Sequence, residues 1–252
     1  MATKYLPPTC GYRIEGNRIV TDGTVRKKMS GTTLGGILGV SPFSSPFRVA
    51  CDLLGLARED ISDKPAVKVG QELEPVIISY LSENRKDIGT FTPAEEVFEK
   101  REGDHDSWVS DFEDEFFAGH VDGLVNTSEG FHILEIKTSR DREGWLDEDG
   151  GYTNVPMSYM LQASLYAELS NLDRIVFLVG FLEEPDYARP KSWVPTPENT
   201  YVIVKEKLEM SEYMAQCEEW YNEYMKGGYT PEWTDSEIDA EVLKYLRAYK
   251  RK

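Results

Sequence analysis

Cysteine is scarce in this sequence, and the positions of the few cysteines argue against two classes of site. Cys10, Cys51 and Cys217 lie far apart in a chain of 252 residues, and no Cys-x-x-Cys spacing occurs. Zinc and iron–sulfur sites need clustered thiolates, and a disulfide framework needs several cysteines at short spacings. We therefore expect neither a metal held by thiolates nor a fold stabilised by disulfides.

Long hydrophobic runs are also absent. Residues 1–9 lack the apolar stretch of a signal peptide, and no run reaches the roughly 18 apolar residues that could cross a bilayer. No linker rich in Pro, Ser or Gly and no internal repeat divides the chain, whose length suffices for a full hydrophobic core. We expect a soluble, cytoplasmic protein with a single domain over residues 1–252 and a helical elaboration at about 205–252.

Positive charge is in short supply. The 28 Lys and Arg residues face 45 Asp and Glu residues, which gives a net charge of −17. Such a balance argues against broad non-specific binding to a polyanion, because affinity for nucleic acid rests largely on neutralising phosphates. The basic residues are nevertheless grouped at 26–28, 137–142 and 244–252. A nucleic-acid ligand would therefore meet an acidic exterior with a basic channel, and bound divalent cations would reverse the local sign.

The most informative feature is Asp122 together with the triplet Glu135, Ile136 and Lys137. Side chains alternate along a strand, so Glu135 and Lys137 share one face, and a hairpin through residues 126–130 can bring Asp122 beside them. Two carboxylates next to an ammonium suit Mg²⁺-assisted hydrolysis of a phosphodiester. The competing interpretation is an ordinary charged edge strand exposed to water.

The remaining patterns predict a mixed α/β arrangement with a central mixed sheet flanked by helices. Apolar and β-branched runs predict strands at 96–100, 117–125, 131–138, 174–182 and 200–204. Helical spacing and capping residues predict helices at about 30–39, 47–54, 66–83, 156–170 and 213–224. Pro75 either begins a new helix or kinks the third of these. A capping box of Thr234 with Glu237 predicts a last helix.

The order of Asp, turn and Glu-x-Lys resembles the PD-(D/E)xK nuclease superfamily. Three further stretches resemble its YqaJ-like and lambda-exonuclease-like branch of phage recombination nucleases. Residues 30–43 are similar to the opening Gly-Gly-Ser-Asp-Ile-Ala-Ala-Ile-Leu-Gly-Val-Ser-Pro-Tyr, 70–75 to a Gly-x-x-x-Glu-Pro helix, and 156–162 to a helix with a Tyr-x-x-Gln pair. The resemblance covers residues 28 to about 182 in family order. One departure is Val121, which stands where the motif has a proline.

The resemblance implies a restriction-endonuclease-like fold and a set of site residues. Asp122, Glu135 and the backbone carbonyl of Ile136 would bind Mg²⁺ or Mn²⁺. Lys137 would orient or deprotonate the attacking water. Glu74 would bind a second metal ion or contact the residues that bind the first, and Gln162 would support the site.

A second implied site holds the 5′-phosphate of DNA. Thr32 stands where the family has a phosphate-binding serine, although a plain helix N-cap explains this residue equally well. The family's arginine corresponds to Arg26, Lys27 or Lys28, among which the sequence does not decide. Tyr159 is the last candidate for this site.

The expected function is a metal-dependent exonuclease that degrades one strand of linear duplex DNA from 5′ to 3′ during phage-type recombination. The resemblance implies a ring-like homo-oligomer such as a trimer, a single-strand annealing protein as partner, and a place in the cytoplasm of a bacterial host or phage-infected cell. The alternatives are an endonuclease or single-strand nuclease of the same superfamily, and a non-catalytic binding protein that keeps the fold.

Overall fold

The computed structural model of the protein describes residues 4–22, 25, 27–61, 63–93, 96 and 112–249. Its contacts divide the chain into two compact units. The first unit is drawn from Met1–Asp60, Asp114–Ala118 and Glu209–Lys252, and the second from Ile61–Glu113 and Gly119–Leu208.

The regular elements are, in chain order, β1 (Tyr12–Glu15), β2 (Arg18–Thr21), β3 (Met29–Ser30), α1 (Gly31–Ile37), α2 (Pro46–Leu53), α3 (Pro65–Asn84), β4 (Thr90–Pro93), β5 (Phe117–Ala118), β6 (Gly123–Thr127), β7 (Gly130–Ser139), α4 (Met157–Leu169), β8 (Arg174–Phe181), α5 (Glu184–Ala188), β9 (Thr200–Glu206), α6 (Ser211–Trp220) and α7 (Glu237–Ala248). Short 3₁₀ turns lie at Glu143–Trp145 and Pro190–Ser192, and a π-helical turn lies at Tyr221–Met225. Within the described residues, no helix combines the length and the hydrophobicity needed to cross a bilayer.

The first unit contains the hairpin of β1 and β2, the short parallel pair of β3 and β5, and helices α1, α2, α6 and α7. The predicted helices near 30–39 and 47–54 are confirmed as α1 and α2. Helix α2 begins as its sequence indicates, because the Ser45 side chain accepts a hydrogen bond from the backbone of Arg48. It ends before Gly55, whose φ of +70° suits glycine.

The capping box predicted for the last helix is wrong in its residue. Ser236 is the N-cap of α7, and its side chain accepts from the backbone of Asp239. Thr234 instead donates a hydrogen bond of 2.8 Å to the carboxylate of Asp239, a side chain that is completely buried. Because this carboxylate also accepts bonds from the Thr234 backbone and from the Ser45 hydroxyl, it ties the starts of α2 and α7 together.

The second unit is built around a five-stranded sheet in the order β4, β6, β7, β8, β9. The central pair, β7 and β8, is parallel, and α4 lies between these strands in the chain; the other neighbours are antiparallel. The fold class is therefore confirmed as α/β with a central mixed sheet flanked by helices. The strand predicted at 174–182 is confirmed as β8 over Arg174–Phe181. It is buried on both faces, since it pairs on both sides and its side chains are almost all inaccessible.

Helix α3 covers one face of this sheet. It runs as a single helix through Pro75, so the alternative in which Pro75 starts a new helix is wrong. The apolar stripe of α3 packs against alternate residues of β7 and β8 to form the core of this unit. The buried members of that core are Val69, Leu73, Ile77, Leu81, Val125, Leu134, Ile136, Val176, Leu178, Leu182 and Trp193.

Two strand predictions need correction. The expected continuous strand over 117–125 is wrong, because Phe117–Ala118 pairs with β3 whereas Gly123–Thr127 pairs with β4 and β7. An apolar run can thus serve two different sheets, which its periodicity does not reveal. The expected strand at 96–100 lies, apart from Glu96, outside the described residues. The edge strand β4 was not predicted.

Candidate active site in the second unit

The hairpin of β6 and β7 brings the first predicted acid to the Glu-x-Lys strand. Asp122 directly precedes β6, and its Oδ2 accepts a hydrogen bond of 2.6 Å from the backbone N–H of Ile136. On the other side, Gly123 allows β6 to approach β4 closely, because a Cβ at this position would collide with the carbonyl oxygen of Thr92. The backbone of β7 therefore fixes the position of Asp122 beside Glu135.

Alternation along β7 places Glu135 and Lys137 on the face opposite to the α3 core, which contains Ile136. The Lys137 Nζ donates a hydrogen bond of 2.6 Å to Glu135 Oε2. The Glu135 side chain is only 1% exposed and that of Lys137 is 16% exposed, so the pair is largely shielded from solvent. The structure thus brings Asp122, Glu135 and Lys137 together as predicted.

Helix α4 contributes two further predicted residues on the same face. The Gln162 Nε2 lies 3.5 Å from Glu135 Oε2, and the Lys137 Nζ lies 5.6 Å from the centre of the Tyr159 ring. The spacing of three residues between Tyr159 and Gln162 gives both side chains one helix face. Gln162 therefore contacts the acid and Tyr159 lies under the ammonium.

One residue that packs against these site residues was not predicted from the sequence. Trp145 lies in the 3₁₀ turn after β7, is 1% exposed, and stacks on Tyr159 with ring centres 5.7 Å apart. It also contacts Phe177 and Phe181 of β8 edge to face. The charges and glycines of the segment 141–153 predict a loop. The only sequence feature that could have indicated a packing contact with the sheet is the single tryptophan within this loop.

Burial and neighbouring charges perturb the two central groups. Burial raises the pKa of Glu135 to about 7; the charge of Lys137 opposes this rise, and those of Asp122 and Glu74 add to it. Burial lowers the pKa of Lys137, but the carboxylates of Glu135 and Asp122 outweigh burial, so the net pKa lies above its usual range. Lys137 is therefore a stable ammonium, while Glu135 is poised between its two forms near neutral pH.

Glu74 lies on α3, and its carboxylate interacts electrostatically with Glu135. Within the described part of the chain, no three His, Cys, Asp or Glu side chains are assembled closely enough to form a ready metal cluster. Glu74 is nevertheless close enough for its charge to contribute to the raised pKa of Glu135.

One atom nevertheless fits a divalent cation. The Oε1 of Glu135 is buried and has no hydrogen-bond partner among the described residues. Leaving a buried carboxylate oxygen without a partner is costly, and a hard cation satisfies such an oxygen. The oxygen donors of Asp122, Glu135 and the Ile136 carbonyl are the kind that Mg²⁺ and Mn²⁺ prefer.

The residues predicted to bind a 5′-phosphate do not all belong to the unit that holds Asp122, Glu135 and Lys137. Thr32 and Lys28 belong to the first unit and Tyr159 to the second, while Arg26 lies outside the described residues. Thr32 is exposed, and its hydroxyl lies 2.9 Å from that of Ser30. Ser30 is the N-cap of α1, so the N-cap interpretation of Thr32 is wrong. The Lys28 ammonium donates a hydrogen bond to the backbone carbonyl of Asp114.

Comparison with known families gives one match over most of the chain. The family described as YqaJ-like viral recombinase domain matches residues 23–173. Two curated relatives are both uncharacterized: protein MG373 of Mycoplasma genitalium is 23% identical over 84% of this chain and 85% of its own, and the MG373 homolog of Mycoplasma pneumoniae is 22% identical with the same coverage.

Solved structures give similar folds at low identity. A phage related exonuclease from Haemophilus somnus 129PT superposes with a TM-score of 0.50 at 16% identity, covering 87% of this chain and 93% of the other. An alkaline exonuclease from Laribacter hongkongensis gives 0.49 at 16% identity, with coverages of 87% and 92%. The first of these shows a shared fold.

Proposed function

Because the chain belongs to the YqaJ-like viral recombinase domain family, we propose that it is a metal-dependent DNA exonuclease. It degrades one strand of linear duplex DNA, from the 5′ end. The single observation that carries this proposal is the state of Glu135. Its carboxylate is buried, hydrogen-bonded to Lys137, affected by the charge of Asp122, and has one oxygen without a partner among the described residues. Such an arrangement costs folding free energy, so we infer that it serves to bind a cation and a phosphate.

Asp122, Glu135 and the carbonyl of Ile136 would hold Mg²⁺ or Mn²⁺, with Glu74 as a further acid near them. When bound, such an ion withdraws charge from the scissile phosphate and lowers the pKa of water in its shell. The hydrogen bond from the Ile136 backbone to Asp122 fixes that carboxylate, which reduces the reorganisation needed on binding.

Lys137 acts as a hydrogen-bond donor. Its pKa lies above the usual range, so it keeps its proton at neutral pH and is better suited to orient the attacking water and the phosphate than to remove a proton. The Tyr159 ring below the ammonium and the Glu135 carboxylate beside it restrict the lysine to one direction. Gln162 adds an amide donor at Glu135 and supports its orientation.

The polarity and the assembly are proposals that the family membership and the net charge support. The exposed Thr32 hydroxyl, with Lys28 and Arg26 close to it in sequence, is the proposed receptor for the 5′-phosphate. A ring-like homo-oligomer would keep DNA on a chain whose net charge is −17. We assign both units to one nuclease domain over residues 1–252, since the family match runs through both, with the helices from about 205 as an elaboration. A single-strand annealing protein is the proposed partner, in the cytoplasm of a bacterial host or phage-infected cell.

The test is digestion of a 5′-phosphorylated linear duplex with Mg²⁺. Wild type should release nucleotides, and Lys137→Ala should release them at least about a hundredfold more slowly, as expected for loss of a positioned donor in the transition state. EDTA should stop the wild-type reaction. Equal rates for the two proteins would refute the assignment of Lys137, and release in EDTA would refute metal dependence.

Two alternatives are separated by simple substrates. Cleavage of covalently closed circles would favour an endonuclease, because an exonuclease needs an end. The net charge of −17 favours a non-catalytic binding protein instead. For that function, calorimetric titration would show no binding of Mg²⁺ or DNA.

A further inference from the structure

A groove in the first unit has no role in the chemistry above. It has a volume of about 650 Å³ and lies along α7, with Trp233, Asp235, Leu243, Lys244 and Arg247 among its lining residues. Sites for small ligands commonly fall between about 300 and 1,000 Å³, so the groove can take one or two nucleotide units but not a duplex. The groove therefore has the size of a site for a single strand.

Among the described residues, the two cations of this groove have no ion-pair partner. Lys244 and Arg247 are exposed and form no salt bridge with another described residue. In the same unit, Lys4, Lys27 and Arg48 are each paired with a carboxylate. The two groove cations are thus available to a ligand.

Arg247 is also held in position. Its guanidinium lies 5.8 Å from the centre of the Trp233 ring, and Trp233 in turn packs edge to face against Phe47 with ring centres 5.9 Å apart. An arginine stacked on an aromatic ring keeps its fork of donors free for a phosphate and loses less freedom on binding. The groove therefore combines an aromatic wall with a preorganised cation.

The charged residues that line this groove leave it positive, although the whole chain carries a net charge of −17. Asp235 is the opposing charge in the groove lining, and with Lys244 and Arg247 it leaves a net positive groove. A polyanion repelled by most of the surface would be attracted here.

We propose that this groove binds the phosphodiester backbone of single-stranded DNA. The inference rests on the proposed function, because a strand-degrading exonuclease leaves a single strand as its product. Lys244 and Arg247 contact adjacent phosphates, and Trp233 forms an aromatic wall of the groove beside them. Phosphate contacts of this kind give affinity without sequence preference.

The test is binding of a fluorescein-labelled oligothymidylate in EDTA, where metal-dependent hydrolysis cannot occur, over a range of KCl concentrations. The substitution pair Lys244→Ala with Arg247→Ala should weaken binding at low salt. It should also lower the slope of log affinity against log salt by about 1.4, since each phosphate contact on a single strand contributes about 0.7. The control pair is Arg58→Ala with Lys86→Ala, which removes the same charge from two exposed positions and should leave the slope within about 0.3 of wild type.

Equal slopes for the groove pair and the control pair would overturn the proposal, as would failure of wild type to bind the strand. Because all four positions are exposed, folding should persist, and circular dichroism checks this. Nucleotide release with Mg²⁺ is measured separately on the wild type. If wild type releases nucleotides but the groove pair does not weaken binding of the strand, only the groove proposal is refuted. If wild type releases no nucleotides, the nuclease assignment is refuted, and the binding measurement alone decides whether the groove holds a single strand.

Discussion

Glu135 should destabilise the metal-free protein, and replacing it with glutamine should therefore increase stability. Its carboxylate is 1% exposed, and burial raises its pKa from the ordinary 4.5 to about 7. This value already includes the attraction of Lys137. The stability that the protonated form supplies is complete below about pH 4.5 and is lost as the pH rises through 7. A rise from 4.5 to about 7 corresponds to a total loss of about 3.5 kcal/mol, at ~1.4 kcal/mol for each unit of pKa.

The assay is urea unfolding in EDTA at pH 5 and pH 8, followed by circular dichroism. Glu135→Gln cannot ionise, so at pH 8 its free energy of unfolding should exceed that of wild type by about 3 kcal/mol, and at pH 5 by under about 1 kcal/mol. The matched control is Glu148→Gln, at an exposed position in the loop after β7, which should change stability by less than about 0.5 kcal/mol at either pH.

Saturating Mg²⁺ should then reverse the order. A cation that binds the folded protein stabilises it by about 4.1 kcal/mol at a thousand times its dissociation constant, which exceeds the gap of about 3 kcal/mol at pH 8, and the glutamine variant should gain much less. If Glu135→Gln is no more stable than wild type at pH 8, the carboxylate is not penalised by burial and the reasoning about the site fails.

Three other predictions concern single residues. Trp145→Ala should lower kcat about tenfold with KM unchanged within about twofold, and Trp145→Phe should restore most of the rate. The reason is that Trp145 stacks on Tyr159, whose ring fixes the direction of the Lys137 ammonium. A change in KM with kcat unaltered would contradict this. Asp239→Ala should lower the free energy of unfolding by about 3 kcal/mol in urea titrations, since a fully buried carboxylate with three hydrogen bonds is lost. Burial raises the pKa of Cys217 to about 12 and that of Cys51 well above its usual value, so a thiol reagent at pH 8 should modify only Cys10 rapidly in the native protein.

The local parts of the fold follow from the sequence where one signal dominates. Helix α2 has a serine cap, a proline at its first position and a glycine after its end, and the structure keeps all three. Strand β8 is an uninterrupted apolar run and is buried on both faces. These signals depend only on neighbouring residues, so they need no knowledge of the rest of the chain.

Some signals were misleading because other contacts compete with them. The run from Phe117 to Val125 looks continuous, but its two ends pair in different sheets. Thr234 has the spacing of a cap, but its hydroxyl donates to the buried Asp239 five residues away, and Ser236 caps the helix instead. Long-range strand pairing decides the first case, and a competing local side-chain hydrogen bond decides the second.

The candidate site shows the same division. Alternation along β7 and the short hairpin are enough to place Glu135, Lys137 and Asp122 together, and helical spacing adds the residue pair on α4. The contribution of Trp145 depends on how the loop after β7 returns across the sheet, which no periodicity encodes. The resemblance led us to expect Glu74 near these acids, and its charge does act on Glu135. Its role as a metal ligand stays a prediction.

The central claim is that Asp122 and Glu135 together hold one divalent cation. Titration of Mn²⁺ followed by electron paramagnetic resonance measures this directly, because bound Mn²⁺ loses the signal of the free ion. Wild type should bind Mn²⁺ at one site or more, and both Asp122→Asn and Glu135→Gln should weaken that binding at least about tenfold. Unchanged binding in both variants, with the fold intact, would contradict the account.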